Sequence, residues 1–311
     1  MASETQTIDL SVVVAAEDAG SSLRKCLASL TAQLTTLTAE IIVADGTAGE
    51  AARRLEQDFP SVRFLPLPTK IDVPRLWSAG IAVARGRIVA ITIGHCVPAP
   101  NWAQQVLHAH AADWPAIGGA IDLDPNAGLV DRAIYFCRYS RYMPPFAPEY
   151  LDDLPGDNCS YKRAALEGLQ EHMTDGFLET FVHQAMRKRG DRLLCDPSIL
   201  VYYNGSPSWV AFAKRRLVHG CYFAARRARE MDRFHRVLRV GASFAVPLVL
   251  FQRIASRVWK RRRHRVRFLV CLPLLVPFLV AWATGEFLGY LAGPSRAPVG
   301  EGNQGVWDEV L

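Results

Sequence analysis

The sequence predicts an α/β domain with a mostly parallel sheet sandwiched by helices, followed by a helical, membrane-associated carboxy-terminal region. Three observations carry this expectation. Over the first hundred residues, short continuous apolar runs alternate with stretches of helical periodicity, the pattern of parallel strands covered on both faces. The length of 311 residues and the 50% hydrophobic content suit one large or two small domains and exclude a disordered or disulfide-scaffold chain. Charge is segregated: residues 214–267 carry 17 of the 36 Lys and Arg but only two acids, Glu230 and Asp232, whereas residues 1–213 carry 18 bases and 24 acids. An acidic body joined to a basic, apolar tail is not a general nucleic-acid binder.

The elements follow in order. Residues 8–15 (IDLSVVVA) form a β-branched run and read as a strand; Leu23, Cys26, Leu27 and Leu30 then recur at helical spacing. The alternation repeats with a strand at 40–44 (EIIVA), a helix at 51–57, a strand at 62–65, a helix at 74–84, a strand at 87–93 (RIVAITI) and a helix from Pro100. No repeat and no low-complexity linker interrupts the body, which reads as one domain, residues 1–207.

After Ser208 the texture changes. Residues 208–239 read as a basic amphipathic helical region, with Lys214, Arg215, Arg216, Arg226, Arg227 and Arg229 suited to an anionic lipid surface. Residues 240–292 read as membrane-associated: 240–252 is short for a crossing and suits an interfacial or re-entrant element. Residues 268–285 lack any charge and would extend about 27 Å as a helix, so 268–291 is the expected transmembrane segment. The eight Lys and Arg of 253–267 put the flank before it on the cytoplasmic side. Residues 293–311 form a tail. Seven cysteines, odd in number, widely spaced and never CxxC, point to a reducing compartment. The opening MASETQT lacks the start of a cleaved secretory signal.

In an open α/β sheet the ligand sits beyond the carboxyl ends of the strands. Glu17, Asp18, Asp45 and His95 occupy those positions. Neither GxGxxG nor GxxxxGK[ST] is present, which removes the simplest dinucleotide and P-loop readings. Asp45 is placed to accept hydrogen bonds from a ribose or base, or else to cap a turn. His108 and His110, two apart, fall on different helix faces and do not form a joint metal site.

Several motifs in order, SVVVAAEDAG with CLASL, EIIVADGT, SAGIAVARGRIVAIT, CVPAPNW, GDNCSYKRAAL and FLETFVHQAMRKRG, give residues 8–203 a pattern that resembles family 2 glycosyltransferases of the GT-A fold. The resemblance implies inverting transfer of a sugar from a nucleotide diphosphate sugar to an acceptor. It puts Ala15, Glu17 and Asp45 at the nucleotide. Where the family usually carries a DxD metal triplet, this chain has Ile93, Gly94 and His95. His95 can give one imidazole ligand to Mn²⁺ or Mg²⁺, so a divalent metal is one expectation; the other is a site without metal, in which Lys70 and Arg75 compensate the diphosphate charge. Counting back eleven from Gly190 puts Glu179 at the family's catalytic carboxylate, which takes the proton of the attacking hydroxyl. Asp157 and Asn158 resemble the loop that meets donor or acceptor hydroxyls. The combined expectation is a membrane-associated transferase with its catalytic domain on the cytoplasmic face and a membrane-proximal, lipid or lipid-linked acceptor. The alternative is a degenerate GT-A protein that binds nucleotide sugar or a partner without turnover.

Overall fold

The computed structural model describes residues 7–47, 49–69, 71–205, 208–229 and 231–293. The expectations for Lys70 and for the tail beyond 293 therefore lie outside the described residues. The chain divides into two compact units, one of Met1–Asp124 with Tyr142–Gly205 and one of Pro125–Arg141 with Ser206–Leu311.

The first unit opens with the expected alternation: β1 (Leu10–Ala16), α1 (Ser21–Leu34), β2 (Ala39–Asp45), α2 (Glu50–Asp58), β3 (Arg63–Pro66), α3 (Val73–Val83) and β4 (Ile88–Ile93). All seven residues of β1 and all six of β4 are buried, as continuous apolar strands in mid-sheet must be. Strands β5 (Cys96–Pro98) and β6 (Ala116–Leu123) follow, with α4 (Trp102–Ala109) between them. In the second unit, α5 (Leu129–Tyr139) comes next. The chain returns to the first unit for β7 (Glu149–Tyr150), β8 (Asn158–Lys162), α6 (Arg163–Leu166), α7 (Glu179–Lys188) and β9 (Leu193–Tyr203).

The sheet has the order β3-β2-β1-β4-β8-β6-β9-β5, with β7 added against β9. Its β3-β2-β1-β4 half is parallel throughout. The other half is mixed, because β8 runs antiparallel to both β4 and β6. In the β4–β8 register Thr92 pairs with Asn158, so an antiparallel strand begins where its parallel neighbour ends.

The second unit is helical: α5, α8 (Trp209–Ala228), α9 (Arg233–Ala242), α10 (Val246–Arg261) and α11 (Arg265–Ala292). The apolar stretch 240–252 is the middle of a longer helical run, because Arg253 and Arg257 continue the helix that the uncharged run alone would end. Two runs, Arg233–Arg261 and Arg265–Ala292, are long and apolar enough to cross a membrane by length and composition. Helix α8 lies along α11. Trp209 and Phe212 pack on Phe278 with ring centroids 5.8 and 4.7 Å apart, and Arg216 lies 4.1 Å over the Trp282 ring. Further on, a Cβ on Gly285 would stand 2.0 Å from the Leu217 carbonyl oxygen, and one on Gly289 2.3 Å from that of Cys221. Only glycine permits so close an approach of two helices.

Candidate active site

Three strand ends meet on one edge of the sheet. Ala16 is in register with Asp45 on one side of β1, and Ala15 with Ile93 on the other. The chain leaves these strands through two hydrogen bonds to β1 carbonyls: Gly46 N donates to Ala16 O and Gly94 N to Ala15 O, each at 3.0 Å. The carbonyls of Ala15 and Ala16 therefore hold the edge together, with Asp45 on one flank and His95 on the other. Ala15 is buried and its methyl leaves the edge low.

Asp45 forms a tight turn. Its Oδ1 accepts from the Thr47 backbone at 2.8 Å and from the Thr47 hydroxyl at 2.5 Å. Both bonds fall on one carboxylate oxygen, and the side chain is 9% exposed. Glu17, just past β1, places Oε2 3.9 Å from His95 Nε2, with the two side chains 22% and 17% exposed. Arg75 belongs to the first turn of α3, which Asp72 caps by accepting from Arg75 N at 3.2 Å. The surrounding protein raises the Asp72 carboxyl above the usual range; Glu17 adds to this, while Arg75 opposes it.

The residues expected at the acceptor side lie in the loop before β8, in β8 itself and at the start of α7. Asp157 is buried, and its carbonyl accepts from the Thr92 hydroxyl at 2.8 Å, which ties the loop before β8 to the end of β4. Trp77 of α3 reaches the same point, its indole N–H donating to Thr92 O at 2.8 Å. A Cβ on Gly156 would stand 3.0 Å from the carboxyl carbon of Glu179 and 3.0 Å from the edge of the Trp77 ring. Glu179, Gly156 and Trp77 thus converge, with Glu179 opening α7 where the helix dipole favours its charge. The preceding segment is pinned to α3 by Phe177 N donating to Pro74 O at 2.7 Å. One turn into α7, the buried His183 spans Tyr161 and Asp153, with Nε2 2.8 Å from the tyrosine hydroxyl and Nδ1 2.6 Å from the carboxylate. Thr180 donates to the other Asp153 oxygen at 3.0 Å. These bonds fix the first turn of α7 to the Asp153 segment.

Asn158 has a different place from the one its motif suggests. It is fully buried, its amide nitrogen donates to Ala120 O and Ile199 O at 2.9 Å each, and its carbonyl oxygen accepts from the Trp102 indole at 2.8 Å. Those three bonds lock β8, β6, β9 and α4 together and commit the amide to the fold. Trp77 carries no sequence motif that singles it out, and Gly156 is marked only as the first residue of GDNCSYKRAAL. Only the PGDN turn hinted that the segment matters.

The fold implies a divalent metal, but the donors present do not fit one held by the protein. His95 and Glu17 supply one imidazole and one carboxylate. Among the described residues no group of three or more His, Cys, Asp or Glu comes together, whereas Mn²⁺ and Mg²⁺ favour several oxygen ligands.

Comparison with known proteins identifies the family and the type of fold. The sequence matches "Glycosyl transferase family 2" over residues 11–191, more than half of the chain. The chain belongs to glycosyl transferase family 2. Among solved structures, this family 2 chain is similar to the mannosyltransferase PcManGT from Pyrobaculum calidifontis, determined in complex with GDP-Man and Mn²⁺. The TM-score is 0.55 at 16% identity, covering 91% of this chain and 88% of that one. At that identity the likeness establishes the GT-A type of fold. No curated protein matches.

Proposed function

We propose that this family 2 chain is an inverting glycosyltransferase that moves a sugar from a nucleotide diphosphate sugar to an acceptor hydroxyl at a membrane, on a lipid or lipid-linked molecule. One observation carries the catalytic reading: a carboxylate, Glu179, is packed against the glycine and tryptophan that join the acceptor-side loop to the end of β4. In the proposed reaction Glu179 takes the proton of the acceptor hydroxyl as its oxygen bonds to the anomeric carbon. The bond from that carbon to the diphosphate oxygen breaks on the opposite face, which inverts the configuration, and the nucleotide diphosphate leaves. Asp45, with one oxygen spent on its own turn, offers the other to the nucleotide ribose or base. Ala15 keeps the floor low for it, and Glu17 lies beside it. His95, Arg75 and Lys70 are the groups assigned to the diphosphate. Asp157 borders the acceptor, and Asn158 is assigned to holding the loop.

The basic, apolar carboxy-terminal third supports membrane association with anionic lipid, and its basic flank supports a cytoplasmic body. A second reading, donor binding without turnover, is favoured by one observation, the absence of a DxD triplet at 93–95. Donor hydrolysis and calorimetric donor binding separate the two. Glu179→Gln should lower turnover by roughly 10² to 10⁴ with donor affinity nearly unchanged. Asp45→Ala should instead weaken donor binding by about 0.5 to 3 kcal/mol. Full turnover in Glu179→Gln would remove the base, and wild-type binding without turnover on any donor would establish the second reading. Running the titration with Mn²⁺ and with chelator reads the metal contribution directly.

A further inference from the structure

We infer that the helices of the second unit lie in the plane of one leaflet of an anionic bilayer, so that α11 does not cross it. This rests on the membrane association proposed above and replaces the crossing expected at 268–291. The decisive feature is the neighbour that α11 already has. From the Trp209 indole, which donates to Leu274 O at 3.3 Å, to Ala224, which packs with Tyr290, α8 follows α11 for most of the uncharged run and beyond. Helix α8 carries Lys214, Arg215, Arg216, Arg226 and Arg227, and Arg227 pairs with the buried Glu286 of α11 at 3.2 Å. A crossing by α11 would draw this cationic helix through hydrocarbon, where neither water nor enough acids could solvate it.

The exposed side chains say what the unit meets instead. Along α9, the 3-10 turn at 243–245 and the start of α10, Phe234, Val237, Leu238, Phe244 and Leu248 are 55–78% exposed, with Phe234 to Val237 and Leu238, and Phe244 to Leu248, at the 3–4-residue spacing of a helix face. Arg233, Arg236 and Arg239 alternate with them along α9, long enough to keep their guanidinium groups among headgroups while the apolar face sinks. The side of α11 that α8 leaves uncovered shows Val266, Leu269, Val270, Val276 and Val280. An apolar face bordered by an excess of arginine fits acyl chains under anionic headgroups, and that charge complementarity commits the face to a lipid surface rather than to a second protein.

Purified full-length protein should float with vesicles of phosphatidylglycerol and phosphatidylcholine, and about tenfold less with phosphatidylcholine alone. Phe244→Asp combined with Leu248→Asp, both exposed, should abolish flotation and leave donor hydrolysis intact. Glu179→Gln should do the reverse, so failure of the catalytic reading is distinguishable from failure of this one. Sidedness decides the plane. Arg265→Cys and Leu291→Cys, exposed positions at the two ends of α11, should both react with an impermeant maleimide from the same side of sealed vesicles. Six of the seven native cysteines are buried, and the unsubstituted protein is the blank. Reaction of the two ends from opposite sides, or of either only after detergent, would overturn the in-plane placement. A wild-type protein that does not float, or floats equally on neutral vesicles, would overturn the anionic-surface assignment.

Discussion

The carboxyl carbon of Glu179 sits 3.0 Å from where a Cβ of Gly156 would be, with the rim of the Trp77 ring equally near. Three segments far apart in sequence, the first two turns of α3, the loop before β8 and the start of α7, meet at a point where an added Cβ would force a neighbour to give by a few tenths of an ångström.

Replacing Gly156 by alanine should therefore displace the carboxylate without straining the backbone. A misplacement on the order of 1 Å at a reacting group can cost about 10²-fold in rate. A shift of a few tenths of an ångström costs less than that, so donor hydrolysis in Gly156→Ala should fall by roughly tenfold, with donor affinity and thermal midpoint close to wild type. Wild-type rates would show that the carboxylate position is not set by this contact.

Asn158→Ala should act on stability. The substitution leaves the Trp102 indole and the carbonyls of Ala120 and Ile199 buried without their partner, and a stranded buried polar group costs about 1 to 3 kcal/mol. A thermal midpoint lowered by several degrees is expected, beside an almost unchanged midpoint in Asp45→Ala, whose bonds stay within one turn.

His110 gives the fold an acid limit. Burial, aided by the Lys162 charge, pushes its pKa down to about 4, and its Nε2 lies 2.9 Å from the Ser160 hydroxyl. A pKa depressed in the folded state means that the neutral ring is favoured there and the unfolded chain binds the proton more readily. The stabilisation is complete above about pH 6.5 and is lost as pH falls towards 4, a swing on the order of 3 kcal/mol. His110→Gln should flatten unfolding free energy between pH 6.5 and 4; the same slope in the variant would assign it to other groups.

The parallel half of the sheet was legible because its strands are unbroken apolar runs, and each boundary from β1 to β4 falls within two residues of the sequence reading. The mixed half was not. In β6, AIGGAIDL carries two glycines that weaken a strand pattern, yet both are required by close approach: a Cβ on Gly118 would meet Pro155, and one on Gly119 would meet Asn158. The positions of Asp45 and His95 just past apolar strands could be read from the sequence, whereas Glu179 was singled out only by the family resemblance. The partnership of Trp77 with Gly156 could not be read, since it depends on a loop folding back over 79 residues, nor could burial of Asn158, whose turn-like neighbours suggest the surface. The carboxy-terminal region showed its apolar and basic character but not that α8 would lie against α11, because the close approach at Gly285 and Gly289 becomes visible only once the partner helix is known.

The reversal of β8 divides the active edge by the direction in which chain is supplied to it. Parallel strands deliver the segments that follow them, so Asp45 and His95 emerge from β2 and β4. Strand β8, running the other way, delivers the segment that precedes it, Gly156 and Asp157. On the proposed reading, donor recognition is written downstream of strands and acceptor recognition upstream of one. A change of acceptor could then fall in the segment before β8, outside the anchored Asp153 and Gly156, and leave the strand ends that carry Asp45 and His95 untouched, a modularity that follows from one antiparallel strand.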